Sequence, residues 1–169
     1  EVEQNRLLEH LSRLQQETDT ILIDTAAGIS SSVIGFCLAA DHVLVVTTPE
    51  ASAMADAYGV IKVLVRKKYD RCISLIVNMA HSPAEGKQVY QRMADVTRKF
   101  LQANLYYAGT LLKDERLCLA VRARKPVVLA YPKAPISSSL ATLATRIAGA
   151  RFSGARPDSF FQRVMRWWN

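Results

Sequence analysis

Leu7, Leu8, Leu11 and Leu14 recur at helical spacing among Glu, Arg and Gln, which predicts an amphipathic helix from about residue 3 to 16. The period then changes. Ile21 to Ile23 form a short apolar run ended by Asp24, and a Ser-rich turn comes next. Beyond it lie a small-residue helix from about 32 to 40 and the run Val43-Leu44-Val45-Val46-Thr47-Thr48. This is β-α-β in outline. The pattern continues with a helix over about 51 to 67, a strand from Cys72 to Asn78, a helix over about 83 to 102 and a strand near Leu105 to Thr110. A short helix over about 115 to 123, the apolar run Val127 to Ala130 and a helix over about 137 to 148 complete the body.

Strands that are apolar throughout, rather than alternating, belong to a parallel sheet covered on both faces. The predicted class is α/β, doubly wound and mainly parallel. After Gly149 the composition shifts: residues 151–157 hold Gly, Ser, Pro and two Arg with little apolar content. The expected organisation is a body over 1–150, a linker over 151–157 and a terminal helix over 158–169.

With 169 residues, half of them hydrophobic, the chain can bury one real core. The start at Glu1, inside a charged helical pattern and without methionine, implies a piece of a longer polypeptide whose sheet is incomplete at its N-terminal side. Cys37, Cys72 and Cys118 lie far apart in apolar runs, so buried reduced thiols are expected rather than a metal pair or a disulfide framework. No apolar run approaches the roughly 18 residues needed to span a bilayer, and the body is expected to be cytoplasmic. The net charge of +7 favours polyanions, whether phosphate, nucleic acid or anionic lipid, without choosing among them.

In a doubly wound sheet, ligands gather beyond the carboxyl ends of the strands. Asp24 comes after three apolar residues at such a position and precedes a turn with Gly28, so it can hold magnesium through water beside nucleotide phosphates. It can equally cap the next helix. Asn78, at the end of ISLIVN, can pair with the donor and acceptor groups of a base edge, or serve as a turn residue. His10, His42 and His81 share no metal spacing.

The segment ILIDTAAGIS, with AADHVLVVTTPEASAMADAYGVIKVL after it, resembles the Walker-B and switch II region of the MinD/ParA deviant-Walker P-loop ATPases, in particular the flagellar-number regulators called FlhG or FleN. The resemblance covers about residues 1 to 150. It implies ATP or ADP with Mg2+ as cofactors, with Asp24 near the magnesium, Gly28 approaching the γ-phosphate and Asn78 contacting adenine. Gly109 to Asp114, GTLLKD, matches the family's base-contacting loop and so adds Asp114, although Leu112 and Lys113 stand where the family often has other residues, Pro among them. The segment ERLCLAVRARKPVV fits the helix and strand that the family has after that loop. The family's glycine-rich, lysine-bearing phosphate loop is absent from these residues, whose seven glycines are not clustered. These residues alone are therefore expected to be inactive, and no complete catalytic set is assigned.

In the tail, Asp158 and Ser159 can cap a helix. At about 100° per residue, Phe160, Phe161, Val164, Met165, Trp167 and Trp168 fall in one arc of roughly 160°, with Arg163 and Arg166 outside it. Aromatic residues opposite arginines suit an anionic membrane surface, and the family too ends in a membrane-targeting helix. The expected function is an ATP-dependent, membrane-associated spatial regulator of flagellar number or placement that switches by dimerisation. It would bind the inner face of the cell membrane reversibly, with flagellar assembly GTPase or regulator proteins as partners. Two alternatives stay open: a nucleotide-free adaptor whose tail docks a protein, and a ParA-like DNA-binding switch using Arg66-Lys67-Lys68 and Arg122 to Lys125. The aromatic tail weighs against DNA.

Overall fold

The computed structural model describes residues 18–149, Phe160, Arg163 and Val164. The helix expected over 3–16, the linker over 151–157 and the tail residues Phe161, Met165, Arg166, Trp167 and Trp168 lie outside the described residues. The chain divides into two compact units, Glu1–Asp41 with Phe152–Asn169, and His42–Arg151.

In the first unit, α1 spans Ser31–Ala39, and Ser30 caps it by accepting a hydrogen bond from the Val33 N–H at 3.4 Å. Ile21 to Asp24, expected as a strand, is neither strand nor helix. Leu22 is 78% exposed. A strand needs a neighbour to receive its backbone donors and acceptors, and among the described residues none pairs with this run.

The second unit holds β1 (His42–Thr47), α2 (Ala51–Arg66), β2 (Cys72–Ala80), α3 (Pro83–Leu101), β3 (Tyr106–Leu112), α4 (Glu115–Arg122), α5 (Val127–Ala130) and α6 (Pro135–Gly149). The strands form a parallel sheet in the order β1-β2-β3, with His42 opposite Cys72 and Ser74 opposite Tyr106. Ile73 to Val77 of β2 are buried without alternation, as expected for a central strand covered on both faces. Helix α2 buries the stripe Ala57, Ile61 and Leu64, and α3 buries Gly86, Val89, Met93 and Thr97, each at helical spacing. Ser82 caps α3 through the Glu85 N–H, while the Glu85 carboxylate accepts from the His81 N–H at 2.6 Å.

Strand β3 carries a bulge at Ala108, because Leu75 pairs with Tyr107 but the next residue, Ile76, pairs with Gly109. Tyr107 and Thr110 consequently share the α3 side, where their hydroxyls lie 2.6 Å apart and the Tyr90 ring packs on Tyr107 at a 45° tilt. Gly109 faces α6 instead, near Leu143 and Arg146. The Arg146 guanidinium donates to the Ala108 carbonyl at 2.9 Å and so satisfies one acceptor at the bulge.

Two further expectations change. Val127 to Ala130, an apolar run placed where a strand was expected, is a single helical turn. Pro126 starts it, and Ser137 donates to the Tyr131 carbonyl at 2.7 Å just beyond it, so the backbone is satisfied without a sheet partner. Of the cysteines, Cys72 and Cys118 are exposed and only Cys37 is half-buried. Cys72 opens its strand, and Cys118 lies off the face of α4 that buries Ala120.

A Cβ on Gly86 would collide with the Thr110 side chain, so this helical glycine is required by close packing on β3. Gly86→Ala should therefore destabilise by about 1–3 kcal/mol in urea unfolding, reversing the usual gain from alanine in a helix. The His42 imidazole lies 2.7 Å from the Ser74 hydroxyl, and burial lowers its pKa below the ordinary 6.5. The unfolded chain thus binds the proton more readily. The contribution of neutral His42 is present above pH 6.5 and is lost as pH falls through the lowered folded-state value. The urea midpoint of the wild type should drop more steeply on acidification below pH 6.5 than that of His42→Gln.

Candidate functional site

In the first unit, Asp24 is exposed in unpaired chain. Gly28, four residues on, adopts φ +102, a conformation that side chains resist, with no atom within 4 Å of where a Cβ would stand. Glycine is needed there for its conformation, and the space it leaves is open. A single accessible carboxylate with a bare backbone bend nearby suits a magnesium ion that keeps most of its water and meets phosphate oxygens. Among the described residues no group of three or more His, Cys, Asp or Glu side chains gathers to hold a metal with protein ligands alone.

In the second unit the carboxyl ends of the strands form the rim where ligands are expected. Asn78 lies two residues before the end of β2, at a second bulge: Val77 pairs with Thr110 and Ala80 with Leu112, so β2 has one residue more than β3 between them. Met79 takes the left-handed conformation at φ 57, and its N–H donates to the Asn78 Oδ1 at 2.9 Å. This fixes the Asn78 side chain by its oxygen and leaves its NH2 as the end that can donate to a ligand. The bulge itself has no sequence signal, because Met79 carries no left-handed tendency of the kind Gly or Asn would give.

Beyond the ends of β2 and β3 lies a cleft of about 390 Å³ lined by His81, Leu112, Lys113, Asp114, Glu115, Arg116 and Pro135. The Lys113 N–H donates to the Ala80 carbonyl at 2.9 Å and ties the two strand ends together. Asp114, which the resemblance places in a base-contacting loop, lines this cleft, and its carboxylate is engaged. One oxygen accepts from the Arg116 N–H at 2.9 Å and caps α4, and the other accepts from the Ile136 N–H at 3.4 Å in the first turn of α6. One side chain thus serves two helix N-termini, where a negative charge is favoured. The sequence gives His81 no metal spacing and marks Lys113 only as a departure from the family's loop, while Glu115 and Arg116 carry no signal beyond their place after two strand ends.

Of the tail, Phe160, Arg163 and Val164 are helical. Phe160 and Val164 are buried with Ala39, against Phe36 and Ala40. Arg163 donates to the Ala39 carbonyl at 2.8 Å and pairs with Asp41 at 2.9 Å. Both apolar residues and the arginine therefore engage the end of α1.

Three parallel strands joined by helices, with a cleft beyond their carboxyl ends, define a doubly wound α/β protein. The cell division ATPase MinD of Pyrococcus furiosus shares this fold, with a TM-score of 0.61 over 85% of this chain and 57% of that one, at 22% identity. The chain is 35% identical over 141 residues to the antiactivator FleN of Pseudomonas aeruginosa, covering 83% of this chain and 50% of FleN. It is 33% identical over 156 residues to the flagellum site-determining protein YlxH of Helicobacter pylori, covering 88% of this chain and 52% of YlxH. No family model matches. The chain belongs to the MinD/ParA family, near its flagellar members, and spans about half the length of these relatives.

The geometry makes Asp114 a structural residue whatever it does for a ligand. Asp114→Ala should lower stability by about 1–2 kcal/mol, measured by urea unfolding, while Asp114→Asn, which keeps an acceptor oxygen, should lose less than half of that.

Proposed function

We propose that this chain is part of an ATP-dependent spatial regulator of flagellar number or placement, which dimerises on binding nucleotide and associates reversibly with an anionic membrane. The observation that carries this reading is the similarity to FleN and YlxH across 83% and 88% of the chain. In it, Asp24 holds magnesium through water, the Gly28 backbone comes close to the terminal phosphate, and the Asn78 NH2 donates to the adenine edge. Asp114 ties α4 to α6 at the cleft where the base would bind. The magnesium and the phosphates supply the electrophilic centre for hydrolysis, and a lysine-bearing phosphate loop from outside these 169 residues completes the cradle. Without that loop these residues bind and orient but do not hydrolyse.

The body over 1–150 carries the nucleotide function, and 158–169 carries membrane affinity after the 151–157 linker. Phe160 and Val164 cannot face lipid while they pack on α1, so membrane binding requires the tail to leave that contact. The same contact favours a second reading, a nucleotide-free adaptor whose tail serves protein docking. Sedimentation of the full-length protein with anionic vesicles separates the two. ATP should raise the bound fraction several-fold, and deletion of 158–169 should abolish it. Asp24→Asn should cut hydrolysis by at least about tenfold. Asp41→Ala, which removes the Arg163 partner, should raise binding without ATP. Equal sedimentation with and without ATP, unchanged by the deletion, refutes the switch and leaves the adaptor.

A further inference from the structure

The amino ends of the strands in the second unit carry charge that the nucleotide reading does not use. Helices α2 and α3 each return the chain from the end of one parallel strand to the start of the next, and they pack against each other on one side of the sheet. Their carboxyl ends therefore lie side by side at the edge opposite the cleft. Helix α2 ends in Arg66-Lys67-Lys68 and α3 in Arg98-Lys99-Phe100, and all six residues are exposed. Arg98 is paired with Asp95, and Asp70 and Arg71 are engaged as well. Among the described residues no carboxylate pairs with Arg66, Lys67, Lys68 or Lys99. Cations in a last turn complement the helix dipole, which accounts for Arg66. The last carbonyls of α2 need no side chain, because Val63, Leu64 and Val65 already accept from the N–H groups of Lys67, Tyr69 and Lys68. Lys68 lies past the helix in the left-handed conformation at φ 58, where glycine is the less strained choice. A charge kept there, beside three more without a carboxylate, is explained by an anion from outside.

We propose that this edge lies against the anionic headgroups of a membrane, with Arg66, Lys67, Lys68 and Lys99 over the phosphates and Phe100 at the headgroup boundary. A layer of headgroups can meet four separate cations without a fitted groove. Phe100 is 64% exposed, and the Lys99 ammonium sits over its ring, 5.4 Å from the centroid. An aromatic ring beside a lysine suits the headgroup boundary, whereas stacking on a nucleic-acid base would need the face that Lys99 covers. The contact is separate from the tail. With the amino edge on the membrane, Asn78 and the cleft at the opposite edge stay open to solvent.

The test measures binding of the full-length protein to phosphatidylglycerol vesicles at about 0.1 M salt, where the Debye length of about 10 Å confines the effect of a charge to its surroundings. Each lysine or arginine near such a surface strengthens binding about fivefold, so Lys67→Glu with Lys68→Glu should weaken it at least about tenfold. Arg122→Glu with Lys125→Glu makes the same change in net charge at exposed positions after the other strand ends, and should leave binding nearly as it was. Unchanged thermal midpoints would establish that the variants fold. The same comparison without 158–169, at about 0.01 M salt, where the Debye length grows to about 30 Å, keeps the result independent of the tail. Benzoylphenylalanine in place of Phe100, photolysed in cells, should crosslink to lipid. The proposal is overturned if the two charge pairs act alike, if the Lys67 and Lys68 pair is silent, or if the crosslink falls on nucleic acid, another protein or the same chain instead of lipid. A tail deletion without effect on the full-length protein counts against the tail and not against this edge.

Discussion

Strand β2 is the constraint on which the rest of the second unit depends. It is paired on both edges, and Leu75 and Val77 are completely buried. Parallel neighbours cannot be joined by tight turns, so β1 and β3 reach β2 only through the crossovers α2 and α3. Those helices must then cover the sheet, which explains their apolar stripes and the contact between Gly86 and Thr110. The same parallel order brings all three carboxyl ends to one rim. The position of Asn78 and of the cleft before α4 is thus a consequence of strand direction.

The sheet is interrupted twice, and each interruption has its own side-chain partner. At Ala108 the bulge turns Gly109 toward α6, and Arg146 of that helix donates to the Ala108 carbonyl, so this irregularity has its partner on α6. At Met79 the bulge frees an N–H that Asn78 accepts, so this one orients a side chain at the ligand-facing rim. Bulges and left-handed non-glycine residues cost stability, on the order of 1 kcal/mol or more, and persist where the surroundings determine them. The cost at Ala108 is offset within the fold. Met79 itself stays exposed, so the side-chain partner of this bulge is the Asn78 oxygen rather than a packed core.

Most of the second unit was legible as periodicity. The runs at Val43 and Ile73 and the helical stripes of α2 and α3 each carry their own signal, since apolar spacing reports which face is buried. Ile21 to Asp24 misled because the same apolar run reads as a strand whether or not a neighbour pairs with it. Val127 to Ala130 misled because four apolar residues fit a buried strand or a buried turn of helix, and only the bonds made by Pro126 and Ser137 decide. Asp114 was found for its place in a resembling loop, but its double cap depends on Ile136, twenty-two residues away, a contact no local pattern encodes. The bulges were illegible for the same reason.

The contact of Phe160, Arg163 and Val164 with α1 sets what the proposed membrane switch has to overcome. At the end of α1 the unsatisfied carbonyls carry partial negative charge, and Asp41 adds a full one where a helix terminus least favours it. Arg163 answers both, donating to the Ala39 carbonyl and to Asp41, and its own side chain is mostly covered in doing so. A charge-assisted contact of this kind stabilises by about 1.5–3 kcal/mol, and burying Phe160 contributes about as much again. The apolar gain is equally available at a lipid surface, since either environment removes Phe160 and Val164 from water. Under the proposed function this part of the gain cancels between the two states, and the exchange of Asp41 for an anionic headgroup at Arg163 becomes one contribution to the choice. A difference of that size is within the range a second tail, brought alongside by dimerisation, can reverse through effective concentration. In the proposed cycle, nucleotide therefore needs only to pair two chains, without any force transmitted to α1.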